Sequence, residues 1–302
     1  MALFNKLKGL VKHVISRVFI KEEGIMGLHL GVMQGRLLPK YQGRYQAHPV
    51  SYWEGEFKIA ADLGLDYIEF ILDYNDCELN PLLSSNGIKI IENVINETGV
   101  KVRSICADYF MVAPLHSAES QVSIDSIKML RRLIINASKL CVTDIVIPCV
   151  DNSSLKKQVD IDRLIVAVNS VIPLCEEYKV NLSLETDLPP NDFAALLQQF
   201  DSTRVTVNYD IGNSAALGFN VEEELIAYGN RVSNVHIKDR VLGGGPVVLG
   251  EGDADFVKVF NLLKEIKYDG LFVMQAYRDE EGTSIFSSQM EWVKPYLETF
   301  YE

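Results

Sequence analysis

From residue 28 onward, short apolar runs alternate with longer segments whose apolar residues recur every three to four positions. The runs are Leu28–Gln34, Tyr67–Leu72, Val102–Ala107, Asp144–Pro148, Asn181–Glu185, Val205–Asp210, Val232–Ile237 and Leu271–Gln275. Each is rich in Val, Ile, Leu or aromatic residues, as strands buried on both faces are. The amphipathic segments between them predict helices over Trp53–Leu63, Ile88–Glu97, Ser123–Leu140, Ile161–Tyr178, Asp192–Phe200, Glu222–Tyr228 and Phe256–Ile266, with a last one over Ser284–Phe300. Asp160, Asn191 and Asp255 stand where N-caps belong.

Strict strand–helix alternation predicts parallel strands with right-handed crossovers. No GxGxxG follows the first strand, which weakens a dinucleotide-binding open sheet. Polar residues at the ends of the later strands favour a closed (β/α)₈ TIM barrel, because a barrel gathers consecutive strand ends around one mouth. No Pro-, Gly- or Ser-rich linker divides the 302 residues. The expectation is one α/β barrel domain over residues 25–302, preceded by an extension over 1–24.

In that extension Phe4, Leu7, Leu10, Val11, Val14, Ile15 and Val18 recur at helical spacing, with Lys6, Lys8, Lys12 and Arg17 elsewhere on the wheel. It reads as an amphipathic helix packed on the barrel underside or on another subunit of a homo-oligomer. The alternative is peripheral membrane contact through a cationic interfacial helix.

Composition narrows the partners. Hydrophobic residues at 48% and charged residues at 23% are ordinary for a globular chain. The net charge of −12 argues against binding nucleic acid, whose phosphates it repels. Cysteines 77, 106, 141, 149 and 175 include no CxxC pair and read as reduced thiols. No apolar run reaches membrane-span length, and Lys12, His13 and Arg17 interrupt any signal-peptide core, so a cytoplasmic location is expected.

The chemistry lies at the ends of the last four strands. "NLSLETD" ends at Glu185, "VTVNYDIGN" carries Asp210, "VSNVHIKD" places His236 near its end, and "GLFVMQAY" places Gln275 at the matching point. A buried carboxylate after an aliphatic run is costly unless paired or coordinated. Two carboxylates, an imidazole and an amide oxygen converging on one mouth would be satisfied together by one divalent cation. Mn²⁺, Mg²⁺ or Co²⁺ suits such a set, with Zn²⁺ or Fe²⁺ also compatible. The cation would hold adjacent hydroxyl and carbonyl oxygens of a small substrate and stabilise an enediolate during proton transfer.

In order, "LETD", "YDIGN", "VHIKDR" and "LGEGDADF" resemble the xylose-isomerase-like barrel superfamily of sugar isomerases and epimerases, over roughly residues 27–300. The run "VHIKDR…LGEGDADF" followed by "YDGLFVMQ" is its most specific part. The resemblance implies metal ligands at Glu185, Asp210, His236 and the position of Gln275. It implies acid/base work by Glu185, Lys238 and Asp239 lining the mouth, and a "GGGPVVLGEG" loop that closes over the substrate or binds its distal end.

Two positions depart from that family's pattern. Gln275 stands where glutamate is usual, and Asn213 where many members have histidine. An amide can ligate but cannot take a proton, so the scheme of two opposed carboxylates lacks one here. Glu69, Asp108, His116 or Lys238 could supply the second base. Alternatively the reaction needs one base, as in aldose–ketose isomerisation or the dehydration of a cyclic polyol or dehydroshikimate-like acid. A non-catalytic sugar-binding relative is the third reading. Glu185 and Asp210 could also belong to a structural network with Lys238 or Arg278.

Gln34, Arg36 and Arg278 sit at strand ends as contacts for hydroxyls or a phosphate, or as salt bridges across the barrel top. Endonucleases acting at abasic DNA share the barrel, but this chain's single well-placed histidine and its charge disfavour that activity.

Overall fold

The computed structural model describes residues 29–302. In chain order its strands are β1 (Leu30–Met33), β2 (Tyr67–Ile71), β3 (Lys101–Cys106), β4 (Asp144–Cys149), β5 (Asn181–Thr186), β6 (Val205–Asp210), β7 (Val232–Ile237), β8 (Asp239–Arg240), β9 (Pro246–Val247) and β10 (Leu271–Met274). The short β8 and β9 pair antiparallel as a ribbon beyond β7. The other eight close a barrel in the order β1-β10-β7-β6-β5-β4-β3-β2. All neighbours are parallel, and the closing pair sets Leu30 beside Phe272 and Val32 beside Met274. The expected TIM barrel is present, with every expected strand in place. The amphipathic segment at residues 1–24 lies outside the described residues.

Most expected helices lie within a few residues of their expected bounds, and one divides. Ile161–Tyr178 becomes Gln158–Asn169 and Ile172–Tyr178. Pro173 explains the break, because its ring has no N–H to donate and would collide with the carbonyl four residues back, at Asn169. Of the expected caps, Asp255 accepts from Lys258 N at 3.0 Å. Asp160 instead sits inside the first turn and accepts from Lys157 N. Asn191 lies inside a helix that Pro190 begins, since proline's fixed φ suits the first helical position. A helix the pattern did not predict, Ile211–Leu217, follows β6 directly and starts from Asp210.

Outward-facing strand residues such as Ile68, Phe70, Ile105, Leu184 and Phe272 are fully buried beneath the helices. Phe272 stacks on Phe260 and meets Phe300 edge-on. The barrel interior has two sectors. Met33, Tyr67, Ile71, Cys106, Val146 and Val273 form an apolar one. Beneath β4 to β7 the lining is polar: Asp144 accepts from Ser183 Oγ at 2.9 Å and Ser233 Oγ at 2.6 Å, and Thr206 joins both hydroxyls. An unmet polar group there would cost about 1–3 kcal/mol, so these residues answer one another. The polar sector leads up to the C-terminal ends of β5 to β7. No helix among the described residues is long and apolar enough to cross a membrane.

Candidate metal centre and active site

Pairing of β6 with β7 sets Asp210 beside His236, and Glu185, next to last in β5, lies beside them. All three are buried, and one ligand atom from each lies within 4.8 Å of the others. His236 Nδ1 is 3.8 Å from Glu185 Oε2 and 3.9 Å from Asp210 Oδ2. Its other nitrogen, Nε2, is 2.7 Å from Glu69 Oε1. Asn234 holds the second Glu69 oxygen at 2.8 Å. Glu69 thus accepts from Nε2–H and turns Nδ1 toward the two carboxylates, the arrangement that orients histidine toward a metal.

The electrostatics favour positive charge at this centre. Burial, then the negative charge of Asp210, pushes the Glu185 carboxyl up to about 7. Burial opposes charging of His236, yet Glu69 with Glu185 and Asp210 raises it to about 9. Burial likewise opposes ionisation of Glu69, but His236 holds its carboxyl below the ordinary range. Three carboxylates around one imidazole make a surplus of negative charge. Asn208 Nδ2 approaches His236 Nδ1 at 3.1 Å, a contact that becomes a donated hydrogen bond once Nδ1 gives up its proton. Proton and divalent cation therefore compete for the same Nδ1 site, and a cation also relieves the repulsion between Glu185 and Asp210. The donor set fits a single divalent ion.

Local structure fixes each carboxylate. Asp210 Oδ1 caps the following helix through Asn213 N at 2.8 Å, leaving Oδ2 toward His236. Asn208 and Asn213 donate to the two oxygens of Glu185 at 2.8 and 2.7 Å. Lys238 Nζ lies 3.3 Å from Asp210 Oδ2 and 3.1 Å from Asn213 Oδ1. The ion pair envisaged with Lys238 exists, beside the cluster. The one envisaged with Arg278 does not.

Gln275 follows β10, where its N–H bonds Ile237 O at 3.0 Å. Its Nε2 donates to Gln46 Oε1 at 2.8 Å, while its Oε1 is buried without a partner. An orphaned acceptor at the strand-eight position is what a cation would satisfy. Arg36 reaches the same Gln46 oxygen at 3.0 Å, and its buried Nε has no partner. Burial, with Arg278 nearby, lowers the Arg36 guanidinium to about 10. Asp108 accepts from Gln46 Nε2 at 3.1 Å and from Cys106 Sγ at 3.2 Å. Gln34 Oε1 is held by Ile71 N and His48 Nδ1, with Nε2 unpartnered. Arg36, Asp108, Gln34 and Gln275 thus ring the mouth with free or shared polar atoms.

Four candidates are placed differently from expectation. Glu69 is wholly buried behind His236, with both oxygens taken, and has no face for substrate. Asp239, also wholly buried, accepts from the backbone N–H of Arg240, Gly250, Gly252 and Ala254. It ties down the loop after β9. Arg278 donates to the carbonyls of Gly35, Arg36 and Leu38 and lies over the Tyr45 ring, clamping the loop after β1. His116 is buried beyond β3, where its carbonyl accepts from Arg163, and it makes no hydrogen bond with the cluster. The glycine-rich loop forms the β8–β9 ribbon, and Gly244 O accepts from the Arg240 guanidinium.

Asn208, Asn234 and Gln46 escaped the sequence reading. The first two had a signal: each lies two residues before a ligand, on the same inward face of its strand. Gln46 lies in a loop and had none. A cavity of about 710 Å³ opens at the opposite barrel end among Tyr67, Arg103 and Tyr301. It contains none of the cluster, and cavity size does not locate the chemistry here.

The sequence model of the xylose isomerase-like TIM barrel matches residues 57–296. The chain belongs to that family. L-ribulose-5-phosphate 3-epimerase UlaE of Escherichia coli O1:K1 is 26% identical over 258 residues, covering 80% of this chain and 89% of that protein. The putative L-ribulose-5-phosphate 3-epimerase SgbU of Haemophilus influenzae is 25% identical over 263 residues, covering 82% and 92%. Among solved structures, D-psicose 3-epimerase from Clostridium cellulolyticum H10 with D-tagatose superposes with a TM-score of 0.71 at 16% identity, over 90% of this chain and 99% of that one. The zinc-containing IolI structure gives 0.68 at 16% identity, over 90% and 97%. Both structural likenesses show the barrel fold.

Glu69→Gln is expected to weaken divalent-metal affinity about ten- to a hundredfold, because a neutral amide makes Nδ1 a poorer donor. Titration with Mn²⁺ checks it, and unchanged affinity would remove Glu69 from the centre.

Proposed function

We propose that this chain is a metal-dependent epimerase or isomerase of a ketose or ketose phosphate. The observation that carries the reading is the buried Glu185–Asp210–His236 cluster with Glu69 fixing the imidazole. Those three residues, with Gln275 Oε1, would hold one divalent cation. When bound, that cation supplies Lewis-acid polarisation of a substrate carbonyl, which makes the adjacent C–H acidic enough to ionise. Glu185 is the base for that proton. Its carboxyl is raised toward neutrality and its orientation is set by two amide donors, as a general base near working pH requires. Lys238, Arg36 and Gln34 offer donors for hydroxyls or a phosphate. The epimerase names of the relatives support the substrate class.

One observation favours a second reading. Gln275 cannot exchange a proton, which suits a one-base reaction: aldose–ketose isomerisation or loss of water. Both readings face the same experiment. The Mn²⁺-loaded protein is incubated in D₂O with L-ribulose 5-phosphate, D-psicose and D-tagatose. Deuterium at the carbon beside the carbonyl of an epimer supports epimerisation, deuterium in an aldose isomerisation, and a new ultraviolet absorbance dehydration. Turnover that chelator leaves untouched, or no exchange in any sugar, would defeat the proposal.

A further inference from the structure

We infer that Gln46 is a positioning residue that fixes the amide of Gln275, and that Arg36, Gln46 and Asp108 together are matched to an amide, not a carboxylate, at position 275. The inference rests on the reading of Gln275 as a metal ligand.

Every polar atom of the Gln46 amide is committed. Oε1 accepts from Arg36 Nη2 at 3.0 Å and from Gln275 Nε2 at 2.8 Å. Nε2 donates to Asp108 Oδ2 at 3.1 Å. A half-turn of this amide would set its N–H groups against a guanidinium and its oxygen against a carboxylate. All three bonds would be lost, and all three contacts would become repulsive. A cation on one side and an anion on the other therefore hold Gln46 in one orientation. Cys106 Sγ, donating to Asp108 Oδ1, anchors the anionic side to β3.

Gln46 thus presents only an acceptor to position 275. An ionised glutamate there has no donor to give it, and two oxygens would face each other. Glutamine supplies the N–H, and satisfying it leaves Oε1 as the amide's unpartnered atom. The amide at 275 and the ring around Gln46 form one hydrogen-bonded unit. The amide at 275 is thereby tied to the loop after β1 and to the end of β3.

Exchanging the charge tests this. With Asp108→Asn the amide at 108 can donate to a turned Gln46, and a carboxylate at 275 supplies the acceptor that Arg36 loses when Gln46 turns its N–H toward that position. Mn²⁺ affinity of the full chain is measured for wild type, Gln275→Glu, Asp108→Asn and the double variant, with circular dichroism showing each folded. Gln275→Glu alone should bind no tighter than wild type despite its extra charge. The double variant should bind about tenfold or more tighter than Gln275→Glu. Gln46→Leu, measured alongside, should lose about tenfold in affinity. Independent effects of the two changes, tighter binding by Gln275→Glu alone, or wild-type affinity in Gln46→Leu would each overturn the inference. Asp210→Asn separates the two layers. If it too keeps wild-type affinity, the metal reading itself falls; if it loses metal while the cycle is additive, only the role of Gln46 falls.

Discussion

Glu185→Gln should lower turnover by about two to four orders of magnitude, the contribution of a positioned general base. The amide has the shape of the carboxylate but cannot accept the substrate proton. Its cost to the fold is local. Asn208 and Asn213 each donate to one Glu185 oxygen, so one donor will face the new NH₂ and lose its bond, worth about 1 kcal/mol. Against that, removing a charge that Asp210 repels is favourable. The variant should fold and melt near the wild type, with the loss falling on kcat far more than on KM. Single-turnover rates at saturating Mn²⁺, with metal content confirmed, on a substrate found active in the D₂O screen make the measurement. Wild-type rates would take the base role from Glu185.

Asp239→Ala should cost stability, on the order of 3 kcal/mol, although no substrate group is lost. The carboxylate collects four backbone N–H groups, and its removal leaves several of them without acceptors at once. The packing is close: a Cβ on Gly252 would lie 2.2 Å from Asp239 Oδ1. The glycine in "GEGD" is there to let the carboxylate in. A melting temperature lower by about 5–10 °C is expected, together with earlier proteolysis in residues 241–255. An unchanged melting curve would mean that water replaces the carboxylate freely.

The strand ends carried most of what could be read in advance. Glu185, Asp210 and His236 each close an aliphatic run, a pattern with few stable explanations other than a shared partner, and the barrel brings them together. Side-chain direction was less legible. Asp239 follows the same strand as His236 yet points into a loop, because the next residues turn back as a ribbon. Glu69 sits inside the barrel at the level of the imidazole, a depth that pattern alone does not give. Arg278 looked like an anion-binding group, and three carbonyls after β1 claim it instead. Gln46 was invisible because a loop has no periodicity, and its role exists only once three distant segments meet. The break before Pro173 is legible in the proline itself, although apolar spacing continues smoothly across it.

The central claim is that Glu185, Asp210 and His236 hold one divalent cation, and metal content tests it without any knowledge of the substrate. Wild-type protein and Asp210→Asn are stripped with chelator, incubated with Mn²⁺ or Co²⁺, desalted and analysed for metal. Asp210→Asn is the useful comparison because its remaining oxygen can still cap the helix at Asn213, so the fold survives while an anionic ligand is lost. The account predicts about one equivalent in the wild type and a small fraction of that in the variant. Equal retention by both, or none by the wild type under saturating metal, would contradict it.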